Sequence, residues 1–211
     1  MFLSFFTVQD CVILPGEKKY LHALNTHSDR SNQLFGDLKE GDIFGLCPCE
    51  RDILGYGTES RLLTLSKKLE DGSYSVEVEG LRVFKIDEFV YPLPGKSYPG
   101  GEVSFLDGDD LLSEELQDAL VEQIHGFLEI AKVDIRIPSG ALNTFQHATL
   151  HQLSFQEKLG LIKLASETER AIYLVDLLEK KLNMYKQVIK KFRIDLTVAA
   201  DRAKRINPSD N

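Results

Sequence analysis

The stretch "KKLEDGSYSVEVEGLRVFKIDEF", residues 67–89, decides how the first half of this chain folds. The Asp-Gly pair near its start predicts a hairpin turn, because glycine accepts positive φ without a Cβ clash. Tyr74, Val76 and Val78 then alternate with polar residues, which is the period-two pattern of a half-buried strand. Gly80 interrupts this pattern and predicts a turn or a bulge. The apolar residues that follow predict a further strand.

The segments on either side extend this pattern into a β-rich N-terminal half. Residues 7–14 are a strand candidate that a Pro-Gly pair ends. Residues 20–42 are more helical in their middle, and the run "IFGLCPC", residues 43–49, is short and apolar. Residues 91–102 are rich in proline and glycine and predict a loop, after which "VSFL" is one last strand candidate.

The composition changes at "DGDDLLSEEL", after which the pattern is helical. Ser113 is positioned to cap a first helix, because a serine oxygen can accept from the free N–H groups of the first turn. Ser154 and Ser166 each begin a Ser-x-x-Glu capping box. Apolar residues at helical spacing follow all three serines.

The last part of the chain predicts a long helix. Residues 185–206 keep a helical pattern, and Asn207-Pro208 ends it. The whole chain therefore predicts an α+β fold, with a β-rich region over residues 1–108 and a helical region over residues 109–211.

Composition and charge restrict the classes of partner. The 211 residues are 43% apolar and 27% charged, which is ordinary for a globular protein with a real core. The formal net charge is -8, and acidic proteins are poor partners for nucleic acid or for anionic membranes. The basic run "KQVIKKFRI" lacks the interleaved aromatic residues typical of single-strand binding. We therefore predict no nucleic acid and no membrane as partner.

Cysteine usage and the apolar start predict a cytoplasmic location. The chain has three cysteines, a small and odd number that does not suit a disulfide framework. The start, "MFLSFFTVQDCVILPGEKK", is apolar but has no basic n-region, and Gln9 and Asp10 interrupt it, so its composition predicts a buried first strand rather than a signal peptide.

The cysteines leave two interpretations open. Cys47 and Cys49 flank Pro48, and Cys11 is the third thiol. They could bind zinc, although structural zinc sites use four ligands and commonly Cys-x-x-Cys spacing. Alternatively they are thiols packed beside a strand, since free cysteine packs like a small hydrophobic residue.

Two histidines and one serine are the candidates for catalysis. His147 and His151 lie four residues apart, but Ala148 stands where a metalloprotease helix has glutamate. Ser139, in "IPSGAL", is either a nucleophile or a loop serine beside proline and glycine. Glu77 and Glu79 lie on one face of a strand and are either an acid–base pair or a solvated face.

Four motifs, taken in order, resemble the N-terminal domain of Lon-type ATP-dependent proteases. They are "VILPGEKKYLHAL" (12–24), "IFGLCPC" (43–49), "GTESRLLTLSKKLEDGSYSVEVEGLRVFKI" (57–86) and "LSFQEKLGLIKLASETERAIYLVDLLEKKL" (153–182). The resemblance covers nearly the whole chain. It implies a β-barrel-like module followed by an α-helical bundle with a long last helix.

The resemblance also implies a function without catalysis. The sequence has no Gly-x-x-x-x-Gly-Lys-Ser/Thr loop for ATP and lacks the protease motif of the family. It thus resembles a Lon N-terminal domain that stands alone. The implied role is binding of unfolded or extended polypeptide without a cofactor, as an adaptor, a holder or a regulator of a separate protease or chaperone.

Candidate contact residues lie at the expected rim of the β module: Leu14, Pro15, Leu69, Tyr74 and Phe84. Each of them could instead be core, and Phe84 is the strongest case for core. Two alternative functions stay open at this point. One is a hydrolase that uses Ser139, His147 or His151. The other is a homo-oligomerisation module built on the last helix.

Overall fold

The computed structural model describes residues 1–23, 33–66, 73–106, 112–132 and 142–206, with side chains described up to residue 191. Several sequence predictions lie outside these ranges: the Asp71-Gly72 turn, the boundary after residue 108, Ser139 and the Asn207-Pro208 stop.

Six strands of the described residues form one sheet: β1 (Phe2–Gln9), β2 (Lys18–Ala23), β3 (Ile43–Cys49), β4 (Tyr56–Leu65), β5 (Tyr74–Val90) and β6 (Gly100–Phe105). Their order is β2-β5-β4-β3-β1-β6, and β5 also pairs with β6. Five strands therefore close into a ring, with β2 attached to β5 outside it. The ring is not a regular barrel, since β1 and β3 run parallel while the other pairs are antiparallel.

The decisive stretch forms one long strand rather than two. β5 has 17 residues, and Val76 and Val78 are buried as their alternation predicts. Gly80 lies beside a bulge, not in a turn: Ser60 pairs with Gly80 while Glu59 pairs with Arg82, which leaves one extra residue on β5. The bulge lets a single strand bend and contact β2, β4 and β6 in turn.

The first strand begins earlier than the sequence pattern predicts. β1 covers Phe2–Gln9, whereas residues 7–14 are the predicted strand. Asp10 has φ of 50°, a left-handed conformation that ends the strand. Val12 and Ile13 are nevertheless buried, because this irregular segment packs against the sheet. Burial of irregular backbone thus imitates a strand in the sequence.

Apolar side chains gather in two cores on the two faces of the sheet. The first core includes Phe6, Phe35, Phe44, Leu46, Leu62, Val76 and Val78. The second core contains Leu3, Phe5, Cys47, Phe84 and Val103. Phe5 and Phe6 enter different cores because successive side chains of a strand point to opposite faces.

The described helices are α1 (Leu34–Asp37), α2 (Glu114–Ala131), α3 (Thr144–Thr149), α4 (Phe155–Ile162) and α5 (Glu167–Ile206). All three predicted caps are confirmed. Ser113 Oγ accepts from the Leu116 N–H, and Ser154 and Glu157 form a full capping box. Ser166 Oγ accepts from the Glu169 N–H at 3.1 Å. The two last helical patterns of the sequence join into one helix of 40 residues.

The chain divides into two compact units. One contains residues 1–112 and 142–170, and the other contains residues 113–141 and 171–211. In the first unit, Lys158 of α4 pairs with Glu17 at 2.6 Å, which ties the helix to the turn before β2. In the second unit, the rings of Phe127 and Tyr185 meet edge to face at 5.9 Å. The mixed α+β fold predicted from the sequence is confirmed.

Candidate functional site

The first unit has an open cleft with a volume of about 750 Å³. We name it the aromatic cleft and define it by Ile53, Ile86, Phe89 and Tyr91, with a polar lining described below. Phe89 is 45% exposed and Tyr91 is 59% exposed. Large aromatic side chains that stay in water beside a cavity are typical of binding surfaces.

A stack of phenylalanine rings leads from the second core to the cleft. Phe84 and Phe5 stack with centroids 5.8 Å apart, and Phe5 stacks on Phe89 at 6.3 Å. The first two rings are fully buried in the second core, whereas Phe89 reaches the solvent. The exposed ring is therefore held in place by buried packing, so the cleft has a preformed apolar wall.

A second bulge in β5 directs several side chains toward the cleft. Ile86 pairs with Val103 and Glu88 pairs with Glu102, so Asp87 is an extra residue on β5. In a strand without the bulge, strict alternation would place Ile86 and Phe89, which are three positions apart, on opposite faces. With the bulge, Ile86, Asp87 and Phe89 all line the same cavity.

The loop over residues 50–55 also lines the cleft. The Leu54 N–H donates to the Pro48 carbonyl at 3.2 Å, and the Ile86 N–H donates to the Gly55 carbonyl at 2.9 Å. Gly55 has φ of 74°, which only glycine adopts easily. These bonds fix the loop against β5, so Ile53 packs on the second core while its neighbours line the cleft.

The polar lining is charged. Arg51, Asp52 and Asp87 all line the cavity and are exposed. Asp87 accepts a hydrogen bond from Ser104 Oγ at 2.5 Å. An apolar wall with a few polar groups is the usual composition of a ligand pocket, in which the polar groups orient what binds.

The residues predicted from sequence do not line this cleft. Leu14 and Phe84 are fully buried, so in this structure they belong to the core and offer no contact surface. Pro15 and Tyr74 are partly exposed, and Leu69 lies outside the described residues. A contact between a polypeptide and Pro15 or Tyr74 stays a prediction.

Packing explains where two of these residues lie. Tyr74 packs against Phe35 of the first core, with ring centroids 6.3 Å apart. Phe84 lies beneath the aromatic cleft, where its ring supports Phe89 through Phe5. Phe84 therefore lies in the core, and the sequence patterns did not single out the exposed Phe89 and Tyr91. A signal was present, because Phe89 and Tyr91 are two aromatic residues spaced two apart at a strand end.

The three cysteines do not share a site. Cys47 belongs to the second core, and Cys11 packs against the first core on the other face of the sheet. Burial, helped by the neighbouring Cys49, raises the pKa of the Cys47 thiol well above its ordinary value. Among the described residues, no group of three or more histidine, cysteine, aspartate or glutamate side chains is arranged to hold a metal ion.

The candidate catalytic histidine is part of a buried network. His147 lies in α3, is 2% exposed, and its Nδ1 has no hydrogen-bond partner. Burial lowers the pKa of His147, while the charge of Glu167 opposes that shift. Nearby, Glu167 accepts from the Thr144 N–H at 2.5 Å, and the Arg170 guanidinium lies 4.7 Å from the centre of the Phe145 ring. The contacts of Glu167 and Arg170 therefore join α3 to the start of α5, and His147 is buried beside them.

Two solved structures of Lon N-terminal domains share the fold of this chain. A Lon N-terminal domain protein from Xanthomonas campestris is 24% identical, with a TM-score of 0.60 over 83% of this chain and 98% of that chain. The N-terminal domain of a Mycobacterium avium complex Lon protease is 17% identical, with a TM-score of 0.64 over 85% and 98%. The chain has the fold of a Lon N-terminal domain.

This Lon N-terminal fold confirms the resemblance inferred from the four sequence motifs. No model of a known protein family matches the sequence, and no curated protein matches it. No helix among the described residues is long and apolar enough to cross a bilayer.

Proposed function

We propose that this chain is a non-catalytic module that binds extended or unfolded polypeptide. It acts in protein quality control as an adaptor, a holder or a regulator for a separate protease or chaperone. The Lon N-terminal fold supports this role. The observation that carries the proposal is the aromatic cleft, where Phe89 and Tyr91 remain exposed above a rigid ring stack. The small and odd number of cysteines supports a cytoplasmic location.

The cleft suits unfolded chains because they expose apolar side chains that folded proteins bury. Covering apolar surface contributes about 25 cal/mol per Å², from which the entropic cost of association is subtracted. Aromatic rings supply a large contact area with few rotatable bonds, so little conformational entropy is lost on binding. The same surface accepts many sequences, which fits a module that binds diverse polypeptides.

The edge of β2 offers a second means of contact. β2 pairs with β5 along one side, and no other described strand pairs with its second side. Tyr20 on this strand is 68% exposed. An open strand edge can add an extended peptide through main-chain hydrogen bonds, which give affinity with little sequence preference.

A binding titration tests the proposal. Labelled, reduced casein is titrated with the chain in the absence of ATP and followed by fluorescence anisotropy, and the same samples are run on a gel. We expect saturable binding and intact casein. The double variant Phe89→Ala, Tyr91→Ala should weaken binding by about tenfold or more, because clustered aromatic residues carry much of the energy of an interface.

Comparison variants separate the possible outcomes. Tyr20→Ala removes an exposed aromatic residue of the β2 edge and tests the second means of contact, so it should weaken binding less than the double variant does if the cleft is the main site. If only Tyr20→Ala weakens binding, the β2 edge is the site and the cleft is not. Absence of binding at tens of micromolar would sink the proposal, and cleavage of casein would support the hydrolase alternative.

Self-association through α5 is a second candidate function that a specific observation favours. Met184, Tyr185 and Val188 lie on one face of this helix and are each about half exposed. Leu182 and Tyr185 pack on Gly126 and Phe127 of α2, so among the described side chains Met184 and Val188 are the members of this group that have no such contact with α2. An apolar helix face of this kind fits the same face of a second copy.

Sedimentation at several protein concentrations tests this second candidate. A dimer that the double variant Met184→Lys, Val188→Lys dissociates would support self-association, since like charges on one face repel. Ile172→Lys changes an exposed apolar residue outside this face and is the matched control. A monomer at all concentrations would exclude the candidate without affecting polypeptide binding.

A further inference from the structure

The side chains that line the aromatic cleft carry more negative than positive charge. Two carboxylates, those of Asp52 and Asp87, and one guanidinium, that of Arg51, line the cavity. Neither Arg51 nor Asp52 forms an ion pair within the part of the chain that the structure describes. The net negative charge lies beside two exposed aromatic rings, within a chain whose formal net charge is -8.

Aromatic rings and carboxylates together attract cations. The negative face of a ring attracts an ammonium or guanidinium group, and a carboxylate pairs with it directly. The chain itself contains an example on the same sheet. The Arg82 guanidinium lies 3.7 Å from the centre of the Phe105 ring and donates to Glu59 at 2.8 Å.

The apolar part of the cleft fits the rest of a basic side chain. Lysine and arginine carry a long alkyl stem that packs on apolar surface while the charged end stays near water or a carboxylate. Ile53 and Ile86 line the cavity beside the rings. A volume of about 750 Å³ is enough for such a side chain and a neighbouring residue.

We propose that the aromatic cleft selects polypeptide segments that carry a lysine or arginine next to an apolar residue. The alkyl stem and the apolar neighbour pack on the isoleucines and rings, and the basic group lies toward Asp52 and Asp87. The positive charge of Arg51 repels the basic group and limits the affinity of the cleft for it. This inference rests on the proposed function, because it names the class of polypeptide that the same cleft binds.

Three labelled peptides test the inference by fluorescence anisotropy. They share the sequence Gly-Ser-X-Phe-Leu-Ser-Gly, with lysine, glutamine or glutamate at X. At low salt we expect the lysine peptide to bind about tenfold more tightly than the glutamate peptide, with the glutamine peptide between them. The difference should shrink at 0.5 M salt, where charges are screened.

Charge variants of the cleft give effects of opposite sign. Asp52→Asn and Asp87→Asn should each lower the affinity for the lysine peptide by about two- to fivefold. Arg51→Gln should raise that affinity by a similar factor. Asp118→Asn removes an exposed carboxylate of α2 and is the matched control. All four positions are exposed, so the variants should fold.

The outcomes separate this inference from the proposed function. Equal binding of the three peptides, with casein still bound, would overturn the charge selection and leave polypeptide binding intact. Tighter binding of the glutamate peptide would overturn it in favour of capture by Arg51. If neither casein nor any peptide binds, both proposals fail.

Discussion

Phe84 owes its position in the second core to two glycines on neighbouring strands. A Cβ at Gly57 would lie 2.5 Å from Phe84 Cζ, and one at Gly45 would lie 2.9 Å from the same atom. Both contacts are far shorter than van der Waals packing allows. The missing side chains therefore make room for the ring that supports Phe5 and, through it, the exposed Phe89.

We expect Gly57→Ala to destabilise the protein by about 1–3 kcal/mol, because overpacking forces rings and backbone apart. The added methyl group would also meet the Leu46 carbonyl oxygen at 2.7 Å, which cannot move without the strand. Urea unfolding measures the change. Gly36→Ala is the control, since its methyl group would meet only Tyr74 Oη at 3.3 Å. Equal stabilities of the two variants would contradict the packing argument.

His147 gives a pH-dependent contribution to stability. Its folded-state pKa is lowered by burial, so the unfolded chain binds a proton at a higher pH than the folded chain does. The free energy of unfolding should therefore be highest above the ordinary histidine pKa of about 6.5 and fall as the pH drops below it.

The variant His147→Leu should show a smaller fall between pH 7.5 and 5.5 than the wild type. At most, one proton changes the free energy of unfolding by about 1.4 kcal/mol per pH unit. Urea titrations at several pH values measure both curves. Parallel curves for the two proteins would show that His147 does not cause this dependence.

At the scale of elements, β5 does most to build the candidate site. Its 17 residues contain two bulges, one beside Gly80 and one at Asp87. The first bends the strand between its partners, and the second turns Asp87 and Phe89 toward the cleft together with Ile86. A straight strand of the same sequence would place these side chains on different faces.

The capping box of α4 gives a prediction at this scale. Ser154 Oγ accepts from the Glu157 N–H at 3.4 Å, and Glu157 accepts from the Ser154 N–H at 2.7 Å. We expect Ser154→Ala to cost about 1 kcal/mol, because free N–H groups of the first turn lose their acceptor. Ser154→Asp keeps an acceptor and should retain most of the stability in urea unfolding. Equal losses in both variants would argue against capping.

At the scale of the whole molecule, closure of the ring brings distant segments to one cleft. Cys49 at the end of β3, the loop after it and the end of β5 all line the cavity. β5 and β6 approach closely at Gly101, where a Cβ would overlap the Glu88 carbonyl oxygen. The cleft therefore exists only when the strands pair as a ring.

Bound polypeptide should protect Cys49 from alkylation. Cys49 lines the cleft, whereas Cys11 packs against the first core and Cys47 is buried with a raised pKa. With saturating casein whose thiols are blocked, we expect slower modification of Cys49 by iodoacetamide and an unchanged rate at Cys11. Mass spectrometry of the digested protein measures each site. Equal protection at Cys11, or none at Cys49, would contradict binding in the cleft.

Local patterns of the sequence predicted much of the fold. The alternation around Val76 and the caps at Ser113, Ser154 and Ser166 depend on neighbours within a few residues, and all are confirmed. The start of β1 was wrong because burial of irregular backbone imitates a strand pattern. The candidate site was harder to predict, since the exposure of Phe89 depends on strands far away in the sequence.

The sequence by itself determined the α+β class, the strand at the centre of β5, the helix starts and the resemblance to a Lon N-terminal domain. These follow from periodicity, capping chemistry and motif order, which are local properties of the chain. Only the tertiary structure decided that Phe84 is core, that Phe89 and Tyr91 are exposed, and that Asp52 and Asp87 share one cavity. The physical reason is that bulges and ring closure set which side chains meet, and both depend on pairing between distant strands.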